Sequence, residues 1–329
     1  MLLSACSGAV APGSTTEGGP VVASPGPGET SAPGQPVTIG LTYVPDIQFA
    51  PFYVAEASGY FADEGLEVTL RHHGAQESLF GSVVAGDETV VVSGADEMLQ
   101  AHAGGVPLVT TGVLYQEYPA VLIVPEDSEI QEVADIRGRN VGLPGPFGEN
   151  WFALLAWMDR EGLDEDDLTI TSIGFTQQAS LMAGNVDAVV GFSNNDLVQF
   201  QLAGFPVRAI DSGELPLVGI GIGAMAETVD TRAEQLAAVN RAVSRALQDI
   251  IADPEAAVDL SLRSQPDLAV STDAERALTT LTATVPLYGD GSLAVDASMW
   301  PIMYEFMVEA NLAEPGLDPS QALVADLAG

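Results

Sequence analysis

The stretch VTIGLTYVPDIQFAPFYVAEASGYFADEGLEV, residues 37–68, decides the fold of this chain. It begins with alternating apolar and polar or small side chains, the period of a β-strand. A proline-bounded loop follows, carrying Gln48, Phe49 and Phe52, and then a short helix that ends at Gly59. Open α/β sheets hold small molecules where a strand's carboxyl end meets a helix N-terminus. The loop is therefore a candidate binding site, although its aromatic residues could equally belong to the core.

Strand and helix patterns alternate over most of the remaining chain. Strands are predicted at 37–43, 67–71, 89–93, 108–112, 120–124, 140–143, 168–172, 187–191, 207–210 and 217–223. This alternation is typical of α/β proteins with largely parallel sheets. After residue 226 the pattern becomes almost entirely helical. Segments 37–112 and 120–210 repeat the same order of elements, which favours two α/β lobes with a cleft between them.

The composition excludes several classes of function. Apolar residues make up 47% of the chain, yet no run reaches the roughly 18–20 apolar residues of a membrane span. Acidic residues number 46 against ten basic ones, all arginine, for a net charge of −36. Nucleic acid is excluded as a partner because no basic groove can neutralise its phosphates. We interpret the acidity as a solubility trait and not as a mark of the ligand.

The N-terminus has the pattern of a lipid-anchored protein. Cys6 is the only cysteine, and it ends the sequence LSAC, the pattern of a bacterial lipobox in which the cysteine takes a diacylglyceryl group. We interpret residues 1–6 as a truncated signal peptide and lipobox, because the charged region and most of the apolar region are missing. Residues 7–36 are almost entirely Gly, Ala, Pro, Ser, Thr and Glu. We expect them to form a disordered tether.

Further loops next to predicted strands carry amides, hydroxyls, carboxylates or aromatic rings. In the segment NVGLPGPFGEN, residues 140–150, glycines at every third position would let the backbone approach a ligand near a helix N-terminus, or would simply form a tight turn. Any one loop is a weak signal, but together they favour a shared cleft. The candidate ligand-binding residues are Asp46, Gln48, Phe49, Phe52, Ser93, Asp96, Tyr115, Glu117, Tyr118, Pro146, Phe147, Asn194 and Asn195.

The sequence offers no clear metal site or catalytic site. His72, His73 and His102 lack the spacing of metal ligands, and the Gly-x-Ser-x-Gly motif is absent. We therefore expect no metal, no cofactor and no catalytic residue.

Several of these motifs together resemble one family. The chain is similar to solute-binding proteins of bacterial ABC importers that are related to the yeast thiamine-pyrimidine synthase, a group that includes binders of thiamine pyrimidine precursors, riboflavin, sulfonates and nitrate. The matching segments are 48–55 (QFAPFYVA), 59–68, 94–96 (GAD), 105–107, 138–148, 174–177 (GFTQ) and 184–195. The resemblance covers nearly all of residues 37–311.

The resemblance implies a two-lobed type II periplasmic-binding fold with a ligand cleft between the lobes. Lobe one would comprise residues 37–113 and 224–329, and lobe two residues 114–223, with hinges near 113–120 and 211–217. It further implies an extracytoplasmic, lipid-anchored monomer that delivers a small molecule to an ABC permease in the membrane.

Within the family, the QFAPF and Asn-Asn elements look closest to the vitamin branch, which binds riboflavin or thiamine pyrimidine. Flat ligands of that kind suit stacking on Phe49, Tyr115 and Phe147, with edge contacts from Gln48 and the amides at 194–195. The sulfonate and nitrate branches remain the alternative, because helix N-termini can bind anions. An enzyme like the yeast synthase is disfavoured. That enzyme needs a lysine for pyridoxal phosphate, a histidine and cysteine-lined iron, whereas this sequence has no lysine and its single cysteine lies in the lipobox.

Overall fold

A computed structural model of the chain describes residues 35–74, 77–210 and 213–327. The lipobox and its Cys6 lie outside the described residues, as does the tether up to residue 34. Gln35 and Pro36, which the sequence assigned to the tether, already belong to the first strand.

Two five-stranded sheets form the framework, one built from each half of the strand pattern. The first sheet has the order β2-β1-β3-β10-β4 and the second the order β7-β6-β8-β5-β9. The strands are β1 Gln35–Leu41, β2 Leu66–His72, β3 Val90–Gly94, β4 Leu108–Val113, β5 Ala120–Pro125, β6 Asn140–Leu143, β7 Thr169–Ser172, β8 Ala188–Phe192, β9 Val207–Ile210 and β10 Ile220–Met225. Each strand begins within three residues of its predicted start, so the α/β prediction is confirmed.

The sheets are largely parallel, as predicted: four strands of each sheet run in one direction, and a single strand runs the opposite way. Strands β1, β2 and β3 pair in parallel, as do β6, β7 and β8. Strand β10 runs antiparallel to β3 and β4, and β5 runs antiparallel to β8 and β9. The two exceptions are the strands that enter a sheet directly after the chain crosses from the other one. No crossover helix precedes them to return the chain to the parallel direction.

Helices cover both sheets and form most of the C-terminal third. They are α1 Ala50–Ala57, α2 Tyr60–Asp63, α3 Gly81–Ala85, α4 Ala95–Ala103, α5 Gly148–Glu161, α6 Gln177–Met182, α7 Asp196–Leu202, α8 Ala226–Ala252, α9 Pro254–Ser264, α10 Pro266–Ser271, α11 Ala274–Thr284 and α12 Met299–Glu309. Within the described ranges, none of them is both long enough and apolar enough to cross a bilayer.

Each sheet has a hydrophobic core on both faces. In β3, Val90 and Val92 belong to the core beneath α8, whereas Val91 faces the core that contains α12. In β8, Val190 and Val189 divide in the same way between two cores. Successive side chains of a strand point to opposite faces, so nearly continuous valine runs indicate sheets covered on both sides.

The chain passes between the sheets twice, once between Val113 and Ala120 and once between Ile210 and Ile220. The carboxyl ends of β1, β3, β6, β7 and β8 each lead into a loop or a helix N-terminus. These loops carry most of the candidate residues, and several of them meet in the structure.

Candidate ligand-binding site

The loop after β1 presents the amide of Gln48 in a fixed orientation. The carboxylate of Asp46 accepts hydrogen bonds from the Gln48 backbone N–H at 3.0 Å and from its side-chain Nε2 at 3.1 Å. Asp46 thereby caps the short 3-10 turn Ile47–Phe49. With Nε2 held by Asp46, the Gln48 Oε1 is available as an acceptor.

A polar contact joins this loop to the second sheet. Asn194, just beyond β8, is fully buried, and its Nδ2 lies 3.2 Å from Gln48 Oε1, 3.3 Å from Tyr115 Oη and 3.1 Å from Thr284 Oγ1. We call these four residues the amide bridge. It connects the loop after β1, the first crossing, helix α11 and the loop after β8, so it holds the cleft edges of the two sheets together.

The amide bridge leaves one buried acceptor without a donor. Within the described part of the chain, Asn194 Oδ1 has no hydrogen-bond partner. Its Nδ2 has only two protons for three acceptors. A buried carbonyl oxygen of this kind costs about 1–3 kcal/mol unless another group supplies a proton. The bridge is therefore suited to a ligand that brings an N–H or O–H group.

Two exposed aromatic rings also meet across the sheets. Tyr43 follows β1 and Phe175 follows β7, and their ring centroids lie 6.3 Å apart at an interplanar angle of 56°. Tyr43 is 42% exposed and Phe175 68% exposed. Large exposed aromatic side chains that touch one another mark an interaction surface more often than isolated exposed ones do. We call them the aromatic pair.

The predicted stack of Phe49, Tyr115 and Phe147 is not assembled in this structure. The Phe49 ring packs edge-on against His72 at 5.5 Å, and the Tyr115 ring lies 5.7 Å from Tyr288. Phe147 is 56% exposed. Phe49 and Tyr115 thus pack against other rings, and Phe147 faces solvent.

Phe52 lies in helix α1, in which every residue from Ala50 to Ala55 is buried. Its side chain is fully buried in the hydrophobic core on the α8 face of the first sheet. Its contact with a ligand stays a prediction.

Three carboxyl groups meet at the N-termini of α4 and α5. Asp96 and Glu97 start α4, and Glu149 starts α5. A Cβ added to Gly94 would lie 2.3 Å from Asp96 Oδ1 and 3.2 Å from Glu149 Cγ, so only glycine permits this approach. Tyr118 donates its hydroxyl to Asp96 Oδ2 at 2.6 Å and also reaches the Glu149 backbone carbonyl at 3.1 Å. We call Asp96, Glu97 and Glu149 the carboxyl cluster.

Burial and mutual repulsion raise the pKa values of the carboxyl cluster. The pKa values of Asp96 and Glu149 rise well above their usual range, chiefly through burial and then through neighbouring carboxylates. Burial likewise raises the pKa of Glu97, although Ser93 donates its hydroxyl to Glu97 Oε2 at 2.6 Å and favours the charged form. Glu149 Oε1 has no hydrogen-bond partner in the described part of the chain.

The remaining candidates lie outside these contacts. Asn195 occupies the N-cap position of α7, and its Oδ1 accepts from Gln199 rather than facing the amide bridge. Glu117 is exposed and lines a groove of about 600 Å³ between the two crossings and α12. Pro146 is exposed beside Phe147.

Sequence reasoning missed several of the contacting residues. Phe175 lies in a segment that matched the family, and Glu149 lies in the glycine-rich loop, so both positions carried a signal. Tyr43 lies at the end of a predicted strand. Thr284 had no signal, because its contact with Asn194 joins residues 90 positions apart.

The described ranges contain no group of three or more His, Cys, Asp or Glu side chains arranged to hold a metal ion. The chemistry of the region is that of hydrogen-bonding amides, aromatic rings and buried carboxyl groups.

Known proteins resemble this chain in sequence and in fold. The family model described as NMT1/THI5 like matches residues 46–257. The riboflavin-binding protein RibY of Chloroflexus aurantiacus is 32% identical over 98% of this chain and 93% of its own length. A formylaminopyrimidine-binding protein of Halalkalibacterium halodurans is 24% identical over 70% of this chain and 71% of its own.

Among solved structures, the periplasmic aliphatic sulphonate binding protein SsuA from Escherichia coli superposes with a TM-score of 0.73 at 18% identity, covering 89% of this chain and 99% of that one. The fold is thus that of periplasmic binding proteins, as the resemblance implied. The match to the family model and the identity to a binding protein over nearly the whole length lead to one assignment: the chain belongs to the NMT1/THI5-like family.

Proposed function

We propose that this chain is an extracytoplasmic solute-binding protein that captures riboflavin in the cleft between two lobes and delivers it to an ABC permease. Lobe one comprises residues 37–113 and 224–329, and lobe two residues 114–223. Cys6 carries a lipid that anchors the protein to the cell membrane. The support for riboflavin is the 32% identity to a riboflavin-binding protein over 98% of the chain.

The amide bridge supports a heteroaromatic ligand. The isoalloxazine ring of riboflavin carries an imide N–H between two carbonyl groups. Asn194 Oδ1 is a buried acceptor without a donor and lies beside the Gln48 amide. The imide N–H can donate to this Oδ1, because a carboxamide oxygen is a hydrogen-bond acceptor.

The aromatic pair supports a flat ligand. A ring between two others needs two stacking distances of about 3.5 Å each, or about 7 Å in total. Tyr43 and Phe175 are 6.3 Å apart and tilted. If the two rings rotate slightly and move apart by about 1 Å, a flat ring can enter between them.

The carboxyl cluster disfavours the sulfonate and nitrate alternatives. Helix N-termini bind anions through free N–H groups. At the start of α4, however, Glu97 Oε2 accepts from the Gly94 N–H and Asp96 Oδ1 accepts from the Glu97 N–H. An anion placed there would compete with the protein's own carboxyl groups. The similarity to SsuA is a similarity of fold.

An enzymatic function is disfavoured by composition. The synthases in this family form a Schiff base between pyridoxal phosphate and a lysine, but this sequence contains no lysine. Its single cysteine is assigned to the lipid site, which leaves none to line an iron site.

The experiment that tests the proposal is analysis of the purified protein for a ligand that accompanies it. Protein from cells grown with riboflavin should show flavin absorbance near 450 nm, in about equal amount to the protein. A thiamine pyrimidine or a sulfonate found by mass spectrometry instead of a flavin would contradict the choice of ligand.

A further inference from the structure

The carboxyl cluster lies where the two proposed lobes touch, and no step of ligand binding described so far uses it. Asp96 and Glu97 follow β3 in the first sheet, whereas Glu149 follows β6 in the second. A Cβ on Gly148 would lie 3.0 Å from Glu97 Oε1, and a Cβ on Gly94 would lie 3.3 Å from Glu149 Cδ. The carboxyl group on each side therefore abuts the backbone of the opposite side.

The groups around the cluster offer little to stabilise three negative charges. Tyr118 contributes one hydroxyl to Asp96, and Ser93 contributes one to Glu97. The charged groups that act on Glu149 are Asp96 and Glu97, which are both acidic. Within the described part of the chain, no arginine or histidine forms an ion pair with the cluster. Tyr115, the aromatic residue of the amide bridge, interacts electrostatically with Glu149 but carries no positive charge.

Like charges brought together in a buried space cannot all stay ionised. When the two sheets separate at this edge, Glu149 leaves Gly94 and all three carboxyl groups regain water. Their pKa values should then return toward the ordinary carboxyl range. The contacting form thus binds more protons than the separated form, and any such difference makes the equilibrium between them depend on pH.

We propose that lobe closure in this protein is coupled to proton uptake by the carboxyl cluster, so that the cleft closes more readily as the pH falls. This inference rests on the proposed two-lobed binding function and adds its regulation. The direction follows from the sign of the linkage: the form with the raised pKa values is favoured below them and loses its advantage as the pH rises through them.

A second consequence concerns the ligand. A neutral ligand can be enclosed once the cluster is protonated, and its affinity should fall as the pH rises, by up to tenfold per pH unit for each proton taken up. Glu149→Gln copies the protonated form and should reduce this dependence. Glu97→Gln makes the same change from the other side of the contact.

Small-angle X-ray scattering of the ligand-free full chain between about pH 5 and pH 8, where ordinary carboxyl groups are ionised, tests the proposal. The radius of gyration of the wild type should increase with pH, and that of Glu149→Gln should increase less. Asp159→Asn, on the same helix but exposed, should behave as the wild type. The proposal is overturned if the wild type does not expand, or if Glu149→Gln and Glu97→Gln both expand as much, which would indicate general charge repulsion.

Riboflavin titrations over the same pH range give a separate readout. Proton uptake on binding, measured by calorimetry in two buffers of different ionisation enthalpy, should be smaller in Glu149→Gln than in the wild type. A failure of riboflavin to bind at any pH would contradict the proposed ligand alone, because the scattering series on ligand-free protein still decides the proton coupling.

Discussion

Replacing Asn194 by leucine should separate ligand binding from stability. Leucine has the branched shape of asparagine but is larger, and it neither donates nor accepts a hydrogen bond. In the proposed complex, Asn194 Oδ1 accepts a hydrogen bond from the imide N–H of riboflavin. Without this acceptor the buried N–H has no partner, at a cost of about 2 kcal/mol. We therefore expect riboflavin to bind about 30-fold more weakly.

The ligand-free protein should remain folded, because the substitution also removes the buried Oδ1 that has no partner among the described residues. Relief of that penalty, about 1–3 kcal/mol, offsets the lost hydrogen bonds of Nδ2. The free energy of unfolding in urea should then fall by no more than the cost of fitting the larger leucine, about 1–3 kcal/mol.

Asn185→Leu is the matched control for Asn194→Leu. Asn185 is exposed and precedes the opposite end of β8, so its replacement should leave affinity within about twofold. Affinity is measured by quenching of riboflavin fluorescence, and folding by circular dichroism. If folded Asn194→Leu binds riboflavin as tightly as Asn185→Leu, the amide bridge does not contact the ligand and the reasoning is refuted.

Three further predictions concern the aromatic pair, the sheet contact and the anchor. Phe175→Leu removes a stacking partner worth about 0.5–1.5 kcal/mol and should weaken riboflavin binding several-fold. Ile302→Ala, at an exposed position on α12, should leave the affinity unchanged. Equal affinities of the two variants would exclude the aromatic pair from the site. Gly94→Ala places a methyl group 2.3 Å from Asp96 Oδ1 and 3.2 Å from Glu149 Cγ and should reduce compaction on ligand binding, measured by scattering. Gly74→Ala, with open space around it, should compact normally. The wild-type protein, expressed with a complete signal sequence, should partition into detergent, and the Cys6→Ala variant should not. Equal partitioning of the two proteins would refute the lipid anchor.

The fold followed from periodicity, because the strands are buried on both faces and their valine-rich runs are distinct in the sequence. The β3 run near Val91 is one example, since every one of its residues is buried. The direction of β5 and β10 did not follow, because strand direction depends on how the chain crosses between sheets. No local pattern of residues predicts how the chain crosses from one sheet to the other.

The candidate site followed only in part, for a related reason. Gln48 and Asn194 could be chosen because polar amides at strand ends are unusual and need partners. Phe52 and Phe175 have the same side chain, yet one is fully buried and the other is 68% exposed. Tertiary packing alone decides which of them is exposed.

The raised pKa values of the carboxyl cluster were also invisible in the sequence. An acidic residue near a helix N-terminus usually stabilises the helix dipole. Only the approach of α5 to α4 turns Asp96 and Glu149 into buried neighbours that repel each other.

The most direct test of the central claim is a calorimetric comparison of four ligands with one preparation of protein freed of bound ligand. Riboflavin, the thiamine pyrimidine, taurine and nitrate are titrated in turn at the same pH and salt concentration. Riboflavin should bind tightly, the thiamine pyrimidine should bind more weakly or not at all, and the two anions should give no heat. Tight binding of taurine or nitrate, with no heat from either vitamin compound, would contradict the proposed function.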